Sequence, residues 1–221
     1  MKKAKLDRDI ELASGWPIHK VEETLAKSDG KSDLVLFFRT RYRERYFDPI
    51  QVIDGNGKGV GFSIMTLACL LVETFYSYRA GLPTSDSREY KRWLAQMKHK
   101  PNTNTAYYVA DSEFPTTIRD VFICFFTANQ KFFPGVRGGE FYDNIRNGLL
   151  HQSQTKRGWK IKTETGCLWN DKLRSLDRKL FVKQLLAYFD HYASELEEDD
   201  EVWKNARRKI WWLVQMSKSN P

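Results

Sequence analysis

The stretch Val60-Gly61-Phe62-Ser63-Ile64-Met65-Thr66-Leu67-Ala68-Cys69-Leu70-Leu71-Val72-Glu73-Thr74-Phe75-Tyr76-Ser77-Tyr78-Arg79-Ala80 decides the fold. It is apolar on most helical faces, the pattern of a helix surrounded by other elements rather than one lying on a surface. Its longest apolar run, Val60 to Val72, includes Ser63 and Thr66 and stops at Glu73. That falls short of the roughly 20 residues that cross a bilayer. The reading is a buried core helix, closed at Gly81-Leu82-Pro83.

The neighbouring segments are mostly helical in their apolar spacing and are separated by Gly and Pro. A first helix spans Pro17 to about Lys27, with Ile18, Val21 and Leu25 at helical intervals, and a second runs from Asp33 to Tyr46, ending at Asp48-Pro49. The turn-forming loop Asp54-Gly55-Asn56-Gly57-Lys58-Gly59 leads into the core helix. Its glycines allow a phosphate-loop reading, set aside because no strand clearly precedes it and no Gly-Lys-Ser/Thr follows. Further helices are expected from Asp86 or Ser87 to Met97, from Ile118 to Phe133, and from Glu140 to about Ser153. Two more are expected from Leu176 to Leu196 and from Val202 to Met216, with a loop at Pro101 to Glu113. Gly158 to Thr163 alternates like a half-buried strand, and Thr165-Gly166 turns it towards Cys167-Leu168-Trp169. The expected architecture is one all-α domain over residues 1–221, a helical bundle with a minor β-hairpin near 158–170 and a last helix at about 201–216.

Composition narrows the partners. The 221 residues carry 36 Lys and Arg against 28 Asp and Glu, a net charge of +8, and 41% are hydrophobic. Such a chain folds and favours an anionic partner. The charged amino terminus, Met1 to Arg8, is followed by no secretory apolar segment, so a cytoplasmic protein with no membrane association is expected. Cys69, Cys124 and Cys167 are odd in number and widely separated, and neither a disulfide nor a zinc site is expected.

Of the four histidines, His19 reads as a solvated residue and His191, after Asp190, as a core or interface residue. His151 lies in Phe141-Tyr142-Asp143-Asn144-Ile145-Arg146-Asn147-Gly148-Leu149-Leu150-His151-Gln152. At about 100° per residue, Phe141, Tyr142, Ile145 and Leu149 form a core stripe, and Arg146, Asp143, Asn147 and His151 share the opposite arc. Asn147 and His151 are i, i+4 neighbours, spaced for the amide to orient the imidazole. Leu150 in the middle of the arc suggests that something covers it, such as a second subunit.

Arg146-Asn147-Gly148-Leu149-Leu150-His151 resembles the Arg-polar-x3-His signature of HEPN domains, all-α proteins of which many are ribonucleases in toxin-antitoxin, phage-defence and RNA-processing systems. The match is close on this helix and loose over about residues 31–196. It implies a HEPN-like bundle that dimerises through the motif, needs no metal or cofactor, and cleaves RNA by attack of a ribose 2′-hydroxyl on the adjacent phosphate. In that scheme His151 is the general acid or base, Arg146 binds the phosphate, and Asn147 holds the imidazole or contacts the ribose. An antitoxin or defence partner also follows from the resemblance. A second Arg–His pair of allowed spacing, Arg92 and His99, has Trp93 where the family favours a polar residue. Ser153 stands where nucleotidyl-regulated HEPN toxins carry Tyr. Glu73 either pairs with Arg146 inside the fold or stays partly exposed on the core helix.

Charge placement points the same way. Between Lys156 and Lys183 there are nine basic residues and three acids, Glu164, Asp171 and Asp177. Lys156, Arg157, Lys160 and Lys162 are candidates to line an RNA path, with Trp159 and Trp169 to stack bases. The other readings of this segment are an ordinary solvated face and, for the whole chain, a non-catalytic helical RNA-binding or protein-interaction module. A DNA-binding regulator is a third possibility, without a recognition-helix signature. The acidic run Glu195 to Glu201 reads as a solvated connection between helices.

Overall fold

The computed structural model describes residues 10–55, 57, 59–84 and 117–219. The expected helix at 86–97, the loop at 101–113 and the Arg92–His99 pair lie outside the described residues. Helices dominate, and the strands form two small sheets. The described residues divide into two compact units. One gathers residues 10–45, 77–84 and 192–219, and the other 46–55, 57, 59–76 and 117–191.

In the first unit, β1 (Glu11–Ala13) and β2 (Trp16–Pro17) pair antiparallel ahead of α1 (Ile18–Ala26) and α2 (Lys31–Tyr42). Helix α1 buries Ile18, Val21 and Leu25, the stripe expected from its spacing. From α2, Phe38 meets Tyr78 at 5.0 Å and Tyr192 at 5.7 Å between ring centroids. Arg41 and Arg45 donate to the carbonyls of Leu12 and Glu11, so two of the clustered arginines fasten β1. The acidic run also has local work: Glu195 pairs with Arg79, and Asp199 Oδ1 accepts from the amides of Glu201 and Val202 at 2.9 and 3.0 Å. The latter caps the final helix, α9 (Asp200–Ser219).

The second unit begins inside a π turn, Arg43–Phe47, that carries α2 directly into α3 (Asp48–Gly55). Asp48-Pro49 therefore does not stop the helical path. Pro49 has no N–H to donate, and the additional residue of the π turn supplies the slack its ring requires. Helix α4 (Gly61–Ala80) is the core helix: Ile64, Met65, Ala68, Cys69, Leu71, Val72 and Phe75 are all fully buried or nearly so. Among the described helices it alone has the length and hydropathy to cross a bilayer, and 56% of that apolar window is buried.

Helix α5 (Ile118–Ala128) starts with a reciprocal cap. Thr117 accepts from the Asp120 amide at 3.2 Å and its own amide donates to Asp120 Oδ2 at 2.9 Å. It ends at Ala128, short of the expected Phe133. Phe122, Phe125, Phe126, Phe133, Phe141 and Phe181 build an aromatic core behind it. The chain then enters α6 (Gly138–Phe141), a second π turn (Tyr142–Arg146) and α7 (Asn147–Gln152), so the helix expected from Glu140 to Ser153 is a composite of three pieces.

The small sheet differs from the expected hairpin. Its strands β3 (Lys160–Lys162), β4 (Trp169–Asn170) and β5 (Ser175–Asp177) lie in the order β3-β5-β4. Strand β5 runs parallel to β3 and antiparallel to β4, so the 158–163 segment never pairs with 167–169. The inserted strand is wholly buried and is held by Asp177. One Asp177 oxygen accepts from the Thr165 amide at 2.6 Å, and the other accepts from the amides of Lys179 and Leu180, capping α8 (Arg178–Glu198). Leu176 fits a helical period, so the spacing alone reads Leu176 and Asp177 into the helix that follows.

Candidate functional site

The motif residues occupy the second π turn and α7. An α-helical wheel carried through that turn misplaces side chains, because the turn inserts one residue into the i→i−4 ladder. Arg146, expected on the outward arc, is 9% exposed. Its Nε donates to Glu73 Oε1 on α4 at 2.9 Å, and its Nη1 donates to Asn147 Oδ1 at 3.2 Å. The guanidinium also lies over the Tyr142 ring, 5.4 Å from its centroid. Of the two alternatives for Glu73, the internal pair is the one present.

Asn147 is half-buried and turns its oxygen to Arg146, so the amide is hydrogen-bonded to the arginine and not to His151. His151 is exposed on the last turn of α7, with no hydrogen bond or ion pair to another described residue. Leu150 beside it is half-buried, and Asp143 is held by Arg119 at 3.2 Å. The site thus combines a buried, anchored cation with an exposed, unengaged imidazole five residues later.

A returning chain fixes the end of α7. Ser153 takes a left-handed conformation, the Gln154 amide donates to the Gly148 carbonyl at 3.3 Å, and the Lys156 amide donates to the Asn144 carbonyl at 2.8 Å. A Cβ on Gly148 would lie 2.3 Å from the Gln154 carbonyl oxygen. Gly148→Ala is therefore expected to lower the free energy of unfolding by about 1–3 kcal/mol, read from a urea titration.

The thiols divide by burial. Cys69, one turn before Glu73, is fully buried, and burial first and the Glu73 charge second push its thiol well above the ordinary range, opposed by Arg146. Cys124 and Cys167 are exposed, and all three are free. Alkylation of the folded protein is expected to modify Cys124 and Cys167 and to reach Cys69 only after denaturation, counted by intact mass.

The basic segment is less open than its charge count implies. Arg178 is buried against Asp54, and Lys179 pairs with Glu164 at 2.8 Å. Lys160 and Lys162 stand on the exposed face of β3, Arg157 is exposed, and Lys156 is half-buried. Trp159 and Trp169 do not form an exposed stacking surface. They are 5% and 6% exposed and pack on each other with ring centroids 4.0 Å apart. Asp54 and Gly55 of the glycine-rich stretch belong to helix α3. His19 is exposed, whereas His191 lies 2.9 Å from Lys131 Nζ and against the Phe132 ring.

No protein-family model matches this chain, and neither the curated proteins nor the solved structures contain a significant match to it.

Proposed function

We propose that this chain is a metal-independent endoribonuclease of HEPN type, working as a cytoplasmic homodimer in a toxin or phage-defence setting. The observation that carries this reading is the anchored Arg146, held by Glu73, followed along one helical path by an exposed His151 that makes no hydrogen bond or ion pair with a described residue. His151 exchanges protons with the ribose 2′-hydroxyl or the leaving 5′-oxygen. Arg146, with donors beyond the two already used, stabilises charge on the phosphate, and Asn147 sets the guanidinium plane. Lys160 and Lys162 supply backbone attraction for RNA. The half-buried Leu150 beside His151, together with exposed Val52, Phe62 and Leu70, supports an apolar contact between copies.

One observation favours a second reading. Arg146 is buried and spends donors on Glu73 and Asn147, as a structural arginine does, which suits a non-catalytic helical RNA-binding or protein-interaction module. Incubation with single-stranded RNA, DNA and 2′-O-methyl RNA in EDTA separates the two. Cleavage of RNA alone supports the enzyme, retention of intact RNA supports the module, and cleavage that requires a metal refutes the mechanism.

A further inference from the structure

In the second unit the three-stranded sheet has the order β3-β5-β4, which leaves β3 (Lys160–Lys162) as an edge. The Lys160 amide donates to the Arg174 carbonyl at 2.8 Å, and in the parallel pair with β5 successive residues turn their backbone groups to opposite sides. The amide and carbonyl of Ile161 therefore point away from β5, to a side on which no described strand is paired. An edge of this kind is a template for another strand.

The side chains of β3 sort by face. Ile161 turns towards the start of α4, where its Cγ2 lies 3.4 Å from the position a Cβ on Gly61 would take. Lys160 and Lys162 stand on the opposite face and are exposed. Two cavities meet at Ile161 and the exposed Phe62. One of about 460 Å³ extends past Lys160 and Trp159, and one of about 400 Å³ extends past Lys162 and Thr163. The edge thus presents an open backbone position, alternate lysines and a hollow towards each end.

We propose that this edge receives an extended acidic segment of a partner polypeptide, added to the sheet beside β3. Ile161 exchanges main-chain hydrogen bonds with the segment, alternate carboxylates lie across from Lys160 and Lys162, and the intervening apolar side chains lie on the Phe62 face, over the two cavities. The lysines also choose the occupant. Pairing two copies edge to edge about Ile161 sets Lys160 of one directly across from Lys162 of the other, and like charges so placed are destabilising. Phosphates are drawn to lysines as well, but a backbone edge between two hollows matches the period of an extended polypeptide and not that of a nucleic acid. This contact goes beyond the ribonuclease reading, since neither Arg146 nor His151 takes part in it.

Fluorescence anisotropy of a labelled, end-blocked peptide of alternating valine and glutamate, titrated with the full chain, tests it. The peptide is expected to bind one to one, and a peptide of alternating valine and lysine about tenfold or more weaker. Reversing both charges, Lys160→Glu with Lys162→Glu, is expected to invert that preference, a gain that misfolding cannot produce. N-methylation of one alternate set of peptide amides is expected to weaken binding about tenfold or more, and methylation of the other set to leave it nearly unchanged, because only one set faces β3. No binding at millimolar peptide, no inversion by the charge reversal, or equal effects of the two methylations overturns the proposal. Retention of single-stranded RNA by these lysines without peptide binding assigns the surface to RNA, and a dimer that the peptide converts to monomer on sizing assigns it to a second copy. Either of those outcomes overturns it as well.

Discussion

Arg146→Ala is expected to lower the free energy of unfolding by about 3 kcal/mol or more. Arg146 and Glu73 have side chains only 10% and 12% exposed and are 2.9 Å apart. Removing the guanidinium takes the Arg146 cation from the Glu73 carboxylate, in a site that also holds the buried thiol of Cys69. Glu73→Ala is expected to be comparably destabilising, because it strands the arginine instead. The double change Arg146→Ala with Glu73→Ala removes both charges and is expected to cost less than the two single losses summed, since the costs of partners in one pair do not add. Urea titrations of the four proteins measure this, and additive losses would contradict the pairing. A fall in activity for Arg146→Ala therefore counts as chemistry only under conditions where the variant is folded.

His151→Ala is expected to behave in the opposite way. The residue is exposed and unengaged by described neighbours, so its removal should change stability by no more than about 0.5 kcal/mol. If it transfers the proton, cleavage should fall by about 10²- to 10⁴-fold. Stability and rate thus separate the two motif residues, one affecting both and the other affecting rate alone.

The helical framework was legible because apolar spacing reports burial directly. The core helix at Gly61–Ala80 and the stripe of Ile18, Val21 and Leu25 follow from it. Three features were not legible, each for a physical reason. A π turn carries no compositional mark, so an unbroken helical wheel turns Arg146 outward, whereas it is buried on Glu73. Strand Ser175–Asp177 blends into the apolar period of the helix after it, although Asp177 immediately before Arg178-Lys179-Leu180 was a usable N-cap signal. Tryptophans in a basic, turn-rich segment resemble stacking residues, yet Trp159 and Trp169 satisfy each other.

Proton transfer to and from a ribose without a metal leaves its signature in the ends of the RNA fragments. Mass spectrometry of fragments produced in EDTA is expected to find 5′-hydroxyl ends opposite 2′,3′-cyclic phosphates or their hydrolysed form, absent with His151→Ala. Fragments with 5′-phosphate ends, or the same fragments at the same rate from His151→Ala, would contradict it.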